Sequence, residues 1–217
     1  KLLTDLRILH EARFPRMIDR YMALGFPANL ALSANQLPEA PLFPRLSTDQ
    51  ASQDRLVTTY GLDRSRLVAI CPGAEFGPAK QWPIDHFSDL VTRLIDDGYQ
   101  TVLLGSPNDA DDIRRLIDQI EKSKRKGLVN LAGLTSIPEA VDVIGLSKAV
   151  VTHDSGLMHV AAATGRPLVA LFGPSSPAHT PPLSEMAVTL THPVPCHPCF
   201  KRECPLKHQA CLSELSV

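Results

Sequence analysis

Lys80 is the first residue of this sequence whose surroundings suggest chemistry. It lies in residues 72–83, a loop with two glycines and three prolines that follows an apolar run at residues 67–71. A lysine ammonium is a compact point charge that suits a phosphate group, so this loop predicts an anion site. The alternative, an ordinary solvated surface lysine, stays open because most lysines in proteins are exposed.

A second segment, residues 152–159, joins an apolar run to an alanine-rich helical pattern and contains Asp154, Ser155, Gly156 and His159. The amides at a helix N-terminus attract anions, and a glycine there lets a ligand approach closely. The segment therefore predicts a docking site for a diphosphate. Alternatively, Asp154 or Ser155 only caps the helix.

A third segment, residues 172–177, is a turn of Gly, Pro and Ser after the next apolar run. Neighbouring parallel strands end at the same edge of a sheet, so this turn should lie beside residues 152–159. A plain turn is the alternative for its serines. The sequence contains neither a Walker A motif nor G-x-G-x-x-G, which disfavours a P-loop ATPase and a nicotinamide enzyme.

Four of the five cysteines, Cys196, Cys199, Cys204 and Cys211, fall close together in the sequence. Their C-x₂-C, x₄ and x₆ spacing predicts a structural Zn²⁺ or iron site, and in a reducing cytoplasm such a cluster indicates metal before disulfides. Two alternatives are together favoured: reduced cysteines without metal, and a disulfide formed on oxidation. The reason is that the spacing is shorter than in common zinc ribbons.

Apolar runs and helical periodicities alternate along most of the chain. The predicted strands are residues 67–71, 101–104, 129–131, 149–152, 168–172 and 187–190. The predicted helices are residues 15–24, 84–95, 113–120, 137–146 and 156–164. A further short helix is predicted to begin at a capping box formed by Ser47 and Gln50 and to end at Gly61. This alternation predicts the α/β class: a parallel sheet with helices on both faces and ligands at the carboxyl ends of its strands.

Composition limits the classes of partner. The chain has 217 residues, 44% of them hydrophobic, and its 22 basic and 23 acidic side chains leave a net charge of -1. This balance gives no global field for nucleic acid or for an anionic membrane, so we expect no nucleic-acid partner. No run of about 18 apolar residues occurs, and Asp5 interrupts the place of a signal-peptide core. We therefore expect a cytoplasmic chain.

Three long motifs, taken together and in order, resemble the lipopolysaccharide heptosyltransferases. They are PGAEFGPAK-x-WP at residues 72–83, DSGLMHVAAA at residues 154–163 and RPLVALFGPSSP at residues 166–177. The resemblance extends from about residue 2 to residue 184. It implies a GT-B architecture, in which an amino-terminal Rossmann-like domain holds the acceptor and a carboxyl-terminal one holds the nucleotide sugar. This chain would then be the donor-binding half.

The resemblance also implies roles for individual residues. Lys80 would neutralise the diphosphate of ADP-heptose, and Asp154 would face the heptose and ribose region. The amides of Ser155 and Gly156 would hold phosphate oxygens, with His159 on the same helix turn. Weaker local matches place Asp109 at the ribose hydroxyls and Thr135 near the adenine.

The reaction implied by the resemblance is an inverting transfer of heptose to the inner core of lipopolysaccharide. Lys80 and Asp154 are its candidate catalytic residues in this sequence, and no metal is required for catalysis. The family's catalytic base, an acid near the amino terminus of its members, has no counterpart here. We therefore expect this chain alone to be inactive, with further sequence before Lys1 and a closing helix after Val217.

The resemblance suggests a division of the chain. Residues 1–26 would be a remnant of the acceptor domain, and residues 27–64, rich in proline up to residue 46, a linker. Residues 65–195 would form the nucleotide-sugar-binding domain, and residues 196–217 the cysteine-rich loop and the start of a tail. A lipid-linked acceptor also makes peripheral contact with the cytoplasmic face of the inner membrane possible.

Two other functions stay open. One is another GT-B enzyme that binds a nucleotide sugar, such as a different glycosyltransferase or a sugar epimerase. The other comes from the cysteine cluster: a metal-bearing interaction module that uses the α/β domain only as a scaffold.

Overall fold

Six parallel strands form one sheet at the centre of the molecule. The computed structural model describes residues 11–27, 36–37 and 43–217. The strands are β1 (Leu67–Cys71), β2 (Gln100–Leu103), β3 (Leu128–Asn130), β4 (Ala149–His153), β5 (Leu168–Phe172) and β6 (Ala187–Thr191). They are arranged in the order β3-β2-β1-β4-β5-β6. Each predicted strand is therefore confirmed, with bounds that agree to about one residue.

Seven α-helices lie within the described residues. They are α1 (Met17–Ala23), α2 (Gln50–Tyr60), α3 (Ile84–Asp96), α4 (Ala110–Gln119), α5 (Ile137–Leu146), α6 (Gly156–Ala163) and α7 (Ala210–Ser213). Single 3₁₀ turns lie at Pro78–Lys80, Pro107–Asp109 and Arg125–Gly127.

The central strands of the sheet are buried on both faces, as their nearly continuous apolar sequences predict, while the edge strand β6 is largely exposed. On one face, Leu67, Ala69 and Cys71 of β1 pack with α2, α5 and α6. On the other face, Val68 and Ile70 of the same strand pack with α3, α4 and α7. The α/β prediction with helices on both faces is thus confirmed.

The start of α2 differs from the expected capping box. Asp49, not Ser47, is the N-cap, and its carboxylate accepts the amide hydrogens of Ala51 and Ser52. Asp is as strong a cap as Ser, and the Asp49 amide also donates to the Asp142 carboxylate of α5 at 2.8 Å, which favours Asp49 at the cap position. The expected stop is confirmed, since Gly61 ends α2 in the left-handed conformation with φ of 63°.

Helix α2 lies in the segment expected to be a linker, yet it packs on α5. The Gln53 side-chain amide donates to the main-chain carbonyl of Asp142 at 3.2 Å. Part of that segment, and part of residues 1–26, lies outside the described residues, and the proposed domain boundaries stay predictions. No helix in the described ranges is both long enough and apolar enough to cross a membrane.

Candidate functional site

The order of the strands creates a cavity at the carboxyl edge of the sheet. β1 lies between β2 and β4, so the connections that follow β1 and β4 diverge to opposite faces and leave a crevice between them. A cavity of about 700 Å³ lies there, within the usual range of small-molecule sites. All seven residues predicted to bind the donor line it: Lys80, Asp109, Thr135, Asp154, Ser155, Gly156 and His159.

Lys80 and Asp154 form a partly enclosed ion pair in this cavity. The lysine Nζ lies 2.6 Å from Asp154 Oδ2 and 3.1 Å from the Asp154 main-chain carbonyl oxygen. Its side chain is only 15% exposed, and the ring of Phe76 lies 4.9 Å from Nζ. Lys80 is therefore not a solvated surface lysine. Its ammonium is held at the cavity wall, where an incoming anion would compete with the carboxylate for it.

The second oxygen of Asp154 has its own partner. Thr180 Oγ1 donates to Asp154 Oδ1 at 3.1 Å. Thr180 follows β5, so this contact confirms that the segment after β5 lies beside the segment after β4. The sequence does not single out Thr180, because no local pattern marks a hydroxyl whose partner lies 26 residues away in the chain.

The N-terminus of α6 is open to the cavity. Ser155 precedes the helix in an extended conformation, and no side chain caps α6. The possibility that Asp154 or Ser155 serves only as a cap is therefore wrong. A Cβ added at Gly156 would meet no atom within 4 Å. The first amides of α6 can thus be approached by an anion.

His159 lies one turn into α6 on the same wall of the cavity. Partial burial lowers the pKa of its imidazole, with Asp154 opposing the shift and Lys80 adding to it. The ring is therefore predominantly neutral at pH 7. A neutral imidazole can donate or accept a hydrogen bond, and it adds no positive charge to this wall.

Asp109 occupies a tight position on the opposite side of the cavity. Its Oδ2 accepts hydrogen bonds from the Ser106 amide at 2.7 Å and the Ser106 hydroxyl at 2.8 Å. A Cβ at Gly73 would come within 2.4 Å of the same carboxyl group, so any larger residue at this position would force the Asp109 side chain to shift. Thr135, after β3, lines the same cavity. The ribose and adenine contacts assigned to Asp109 and Thr135 stay predictions.

A histidine that the sequence did not single out lies beneath the ion pair. His153 ends β4, is fully buried, and accepts the Trp82 main-chain amide hydrogen on Nε2 at 2.7 Å. Burial lowers the pKa of His153 to about 4, so the ring is neutral. Only its position next to Asp154 could have drawn attention to it. Trp82 itself is buried, as expected for a packing residue.

The cysteine-rich loop surrounds a second, much smaller cavity. Cys196, Cys199, Cys204 and Cys211 line this space of about 20 Å³ together with His208. It has room for about one water-sized particle. All four thiols are free, yet no three His, Cys, Asp or Glu side chains in the described part of the chain are arranged as a metal site. The donor types suit a soft metal ion, but the side chains do not converge on one.

The same loop touches the loop that carries Lys80. The Ala79 amide donates to the Arg202 main-chain oxygen at 3.1 Å, and Gln209 Nε2 donates to the Pro78 carbonyl at 2.8 Å. Arg202 Nε donates to the Phe76 carbonyl at 2.6 Å. Three hydrogen bonds therefore tie the cysteine-rich loop to the Lys80 loop.

Comparison with known proteins gives consistent matches. The sequence model of glycosyltransferase family 9 (heptosyltransferase) matches residues 1–210. Lipopolysaccharide heptosyltransferase 2 of Escherichia coli K12 is 44% identical over 187 residues, which is 86% of this chain and 54% of that protein. Lipooligosaccharide heptosyltransferase 2 of Haemophilus influenzae is 42% identical over 194 residues, 87% of this chain and 55% of that protein.

A solved structure matches the fold as well. The structure of E. coli ADP-heptose lps heptosyltransferase II superposes with a TM-score of 0.83 at 43% identity, covering 88% of this chain and 58% of that one. The chain thus spans about half the length of the relatives that it matches. It corresponds to one half of a GT-B-type molecule.

Proposed function

The chain belongs to glycosyltransferase family 9, the heptosyltransferases, and we propose that it supplies the donor-binding half of such an enzyme. The donor would be ADP-heptose, and the acceptor the inner core of lipopolysaccharide. Relatives named heptosyltransferase 2, identical at 42% to 44% of aligned positions, support a transferase of that type. Like the reaction that the family resemblance implies, the proposed catalysis uses no metal.

One observation carries the proposal. Seven residues assigned to the donor, five from two separate sequence motifs and two from weaker local matches, all line one cavity of about 700 Å³. That cavity combines a lysine ammonium, an uncapped helix N-terminus and three carboxylates, those of Glu75, Asp109 and Asp154. Cations and helix amides suit a diphosphate, while carboxylates accept hydrogen bonds from sugar hydroxyls.

The chemistry follows from the charges at this wall. In an inverting transfer, a base removes the proton of the acceptor hydroxyl, whose oxygen attacks the anomeric carbon of heptose. The bond from that carbon to the diphosphate breaks, and ADP leaves with the additional negative charge. Lys80 and the amides at the start of α6 would stabilise this charge as it develops. The base that removes the acceptor proton would not be one of the residues assigned to donor binding.

Titration calorimetry with ADP and with UDP tests the donor class. We expect ADP to bind more tightly than UDP, with ADP-heptose at least as tight as ADP. A preference for UDP would instead favour the alternative, a GT-B enzyme with another nucleotide sugar. Absence of binding to either nucleotide by the folded chain would reject the proposal.

We also propose a structural zinc or iron ion in the cysteine-rich loop. Four thiols around one cavity of about 20 Å³ support it. Backbone hydrogen bonds, that of Gln209 first, lower the pKa of Cys204 and so favour the thiolate that binds a metal, whereas burial, followed by the other three thiols, raises the pKa of Cys211 and opposes it. A bound ion would fix a loop that contacts the Lys80 loop; it would not take part in transfer.

Elemental analysis of protein purified without a metal-binding tag tests the ion. About one zinc or iron per chain is expected for a structural site, and less than about a tenth would reject it. If chelation removes a stoichiometric ion and ADP affinity does not change, the metal-bound loop does not support the donor site and would instead bind a partner. That result would favour the metal-bearing interaction module.

For location, we propose the cytoplasm, with peripheral contact at the cytoplasmic face of the inner membrane. The support is the acceptor, which is a membrane lipid in the proposed reaction. Co-sedimentation with vesicles that contain the core-lipid acceptor should exceed that with vesicles of phospholipid alone. Equal sedimentation with both would remove the acceptor-linked contact.

A further inference from the structure

His153 connects the end of β4 with the two ends of the loop that carries Lys80. Its ring is fully buried at the end of β4, directly before Asp154. Nε2 accepts the Trp82 amide hydrogen at 2.7 Å, and Nδ1 lies 3.4 Å from the Gly73 carbonyl oxygen. Because a carbonyl can only accept, Nδ1 must carry the hydrogen, and Nε2 is left as the acceptor that the Trp82 amide requires.

The two partners of the ring lie on either side of Lys80 in one loop. Gly73 follows β1, and Trp82 stands two residues after Lys80. A side chain of β4 thus fixes both ends of the loop that carries the ammonium, while the next residue of β4 carries the carboxylate that the ammonium binds. Phe87 packs edge-on against the imidazole at 5.2 Å and Trp82 packs against Phe87, so the ring cannot easily rotate.

We propose that His153 is a positioning residue for donor binding: as a neutral imidazole it holds the Lys80 loop against β4, so that Lys80 meets the diphosphate. This inference rests on the proposed function, because it assigns His153 an effect on ADP that passes through Lys80. His153 does not contact the ligand itself, and within the described residues it does not line the donor cavity.

The surroundings of the ring favour its neutral form. Burial is the main cause of its lowered pKa, with Lys80 acting in the same direction, and the hydrogen bond to Gly73 and the charge of Asp154 opposing. A protonated ring would carry a hydrogen on Nε2 and lose the bond from the Trp82 amide. The hydrogen bond from the Trp82 amide to His153 therefore requires a neutral imidazole.

A double-mutant cycle measured by ADP binding distinguishes an effect of His153 that acts through Lys80 from a general effect on the stability of the fold. His153→Leu should weaken ADP binding by about tenfold in the wild-type background, and by less than about twofold in a Lys80→Ala background. His153→Gln should recover most of the affinity, because its amide oxygen can accept the Trp82 hydrogen. Equal losses in both backgrounds would overturn the proposal, since a merely structural role is additive.

His86 provides a matched control. Its ring packs edge-on against Trp82 at 5.1 Å, but its buried Nδ1 has no hydrogen-bond partner among the described residues. His86→Leu should leave ADP affinity unchanged. A loss equal to that of His153→Leu would show that any imidazole near Trp82 matters and would overturn the assignment.

Nitrogen NMR of the wild-type chain adds a test that needs no variant, in case His153→Leu does not fold. The proposal requires hydrogen on Nδ1 alone at pH 7. Hydrogen on Nε2, or on both nitrogens, would overturn it. Failure of the proposed function looks different: the wild-type chain would then bind no ADP, whatever the state of His153.

Discussion

At the scale of single residues, the account depends on a lysine whose charge is already paired. Lys80 contacts Asp154 at 2.6 Å, in a site where the carboxylate is only 5% exposed. A partly buried pair of this kind gains little net stability, because desolvation offsets much of the attraction. Its value is functional: the ammonium is kept in place until a diphosphate competes for it.

Asp154→Asn tests this competition. Removing the carboxylate charge should tighten ADP binding by about tenfold, because the phosphates no longer compete with a neighbouring anion for Lys80. The Thr180 hydroxyl can pair with either end of the new amide, as donor to its oxygen or as acceptor from its nitrogen, so the loop after β5 should stay in place. Calorimetry with ADP and with ADP-heptose is the measurement, and the affinity gained should be seen with both. Weaker ADP binding in the variant would contradict the competition.

His153 makes a separate prediction about acid stability. Its pKa is about 4 in the folded chain and near 6.5 in the unfolded chain, so between these values only the unfolded chain binds a proton. The free energy of unfolding should therefore be unaffected above pH 6.5 and fall by up to about 3 kcal/mol as the pH drops to 4. Urea unfolding across this range is the measurement, and His153→Gln should flatten this part of the profile. Parallel profiles for the two proteins would contradict it.

At the scale of elements, much of the donor site was predictable because each part follows a strand. Lys80, Asp109, Thr135 and Asp154 come after β1, β2, β3 and β4, and parallel strands bring their carboxyl ends together. Thr180 was not predictable, because the approach of the β5 connection to Asp154 depends on tertiary packing.

The start of α2 and the geometry of the cysteine-rich loop could not be predicted from the sequence, because both depend on tertiary contacts. Two acceptable caps, Ser47 and Asp49, stand two residues apart, and packing on α5 decides between them: the Asp49 amide donates to the Asp142 carboxylate at 2.8 Å. The spacing of the cysteines predicted that they would cluster, and they do line one cavity. Their directions depend on loop geometry, which spacing alone does not specify.

Substitution of Gly73 tests how tightly the loop after β1 packs against Asp109 in the loop after β2. Gly73→Ala places a methyl group within 2.4 Å of the Asp109 carboxyl carbon, which two hydrogen bonds hold in place. We expect a loss of about 1–3 kcal/mol in unfolding free energy, as for an overpacked core, together with weaker ADP binding.

Gly156→Ala is the control for this substitution, since its added methyl group meets no atom within 4 Å. Its stability should change by less than about 0.5 kcal/mol. Thermal or urea unfolding of both variants is the measurement. Equal stabilities of Gly73→Ala and the wild-type chain would mean that Asp109 can move away at no cost.

At the scale of the whole molecule, this chain corresponds to about half of the family members that it matches. We therefore expect the 217-residue chain to bind the donor but not to transfer heptose from ADP-heptose to a core-lipid acceptor. Mass spectrometry of the acceptor is the measurement, with a full-length family enzyme as the positive control. A product formed by this chain alone would require a base among its own residues.

The central claim, that the cavity at the carboxyl edge of the sheet binds the diphosphate through Lys80, is tested most directly by titrating ADP into the wild-type chain and Lys80→Ala. A charge-assisted contact contributes about 1.5–3 kcal/mol, so the variant should bind ADP roughly one to two orders of magnitude more weakly. Lys122→Ala, which removes an exposed lysine, should bind like the wild-type chain. Equal ADP affinity in Lys80→Ala and the wild-type chain would remove Lys80 from the site and contradict the account.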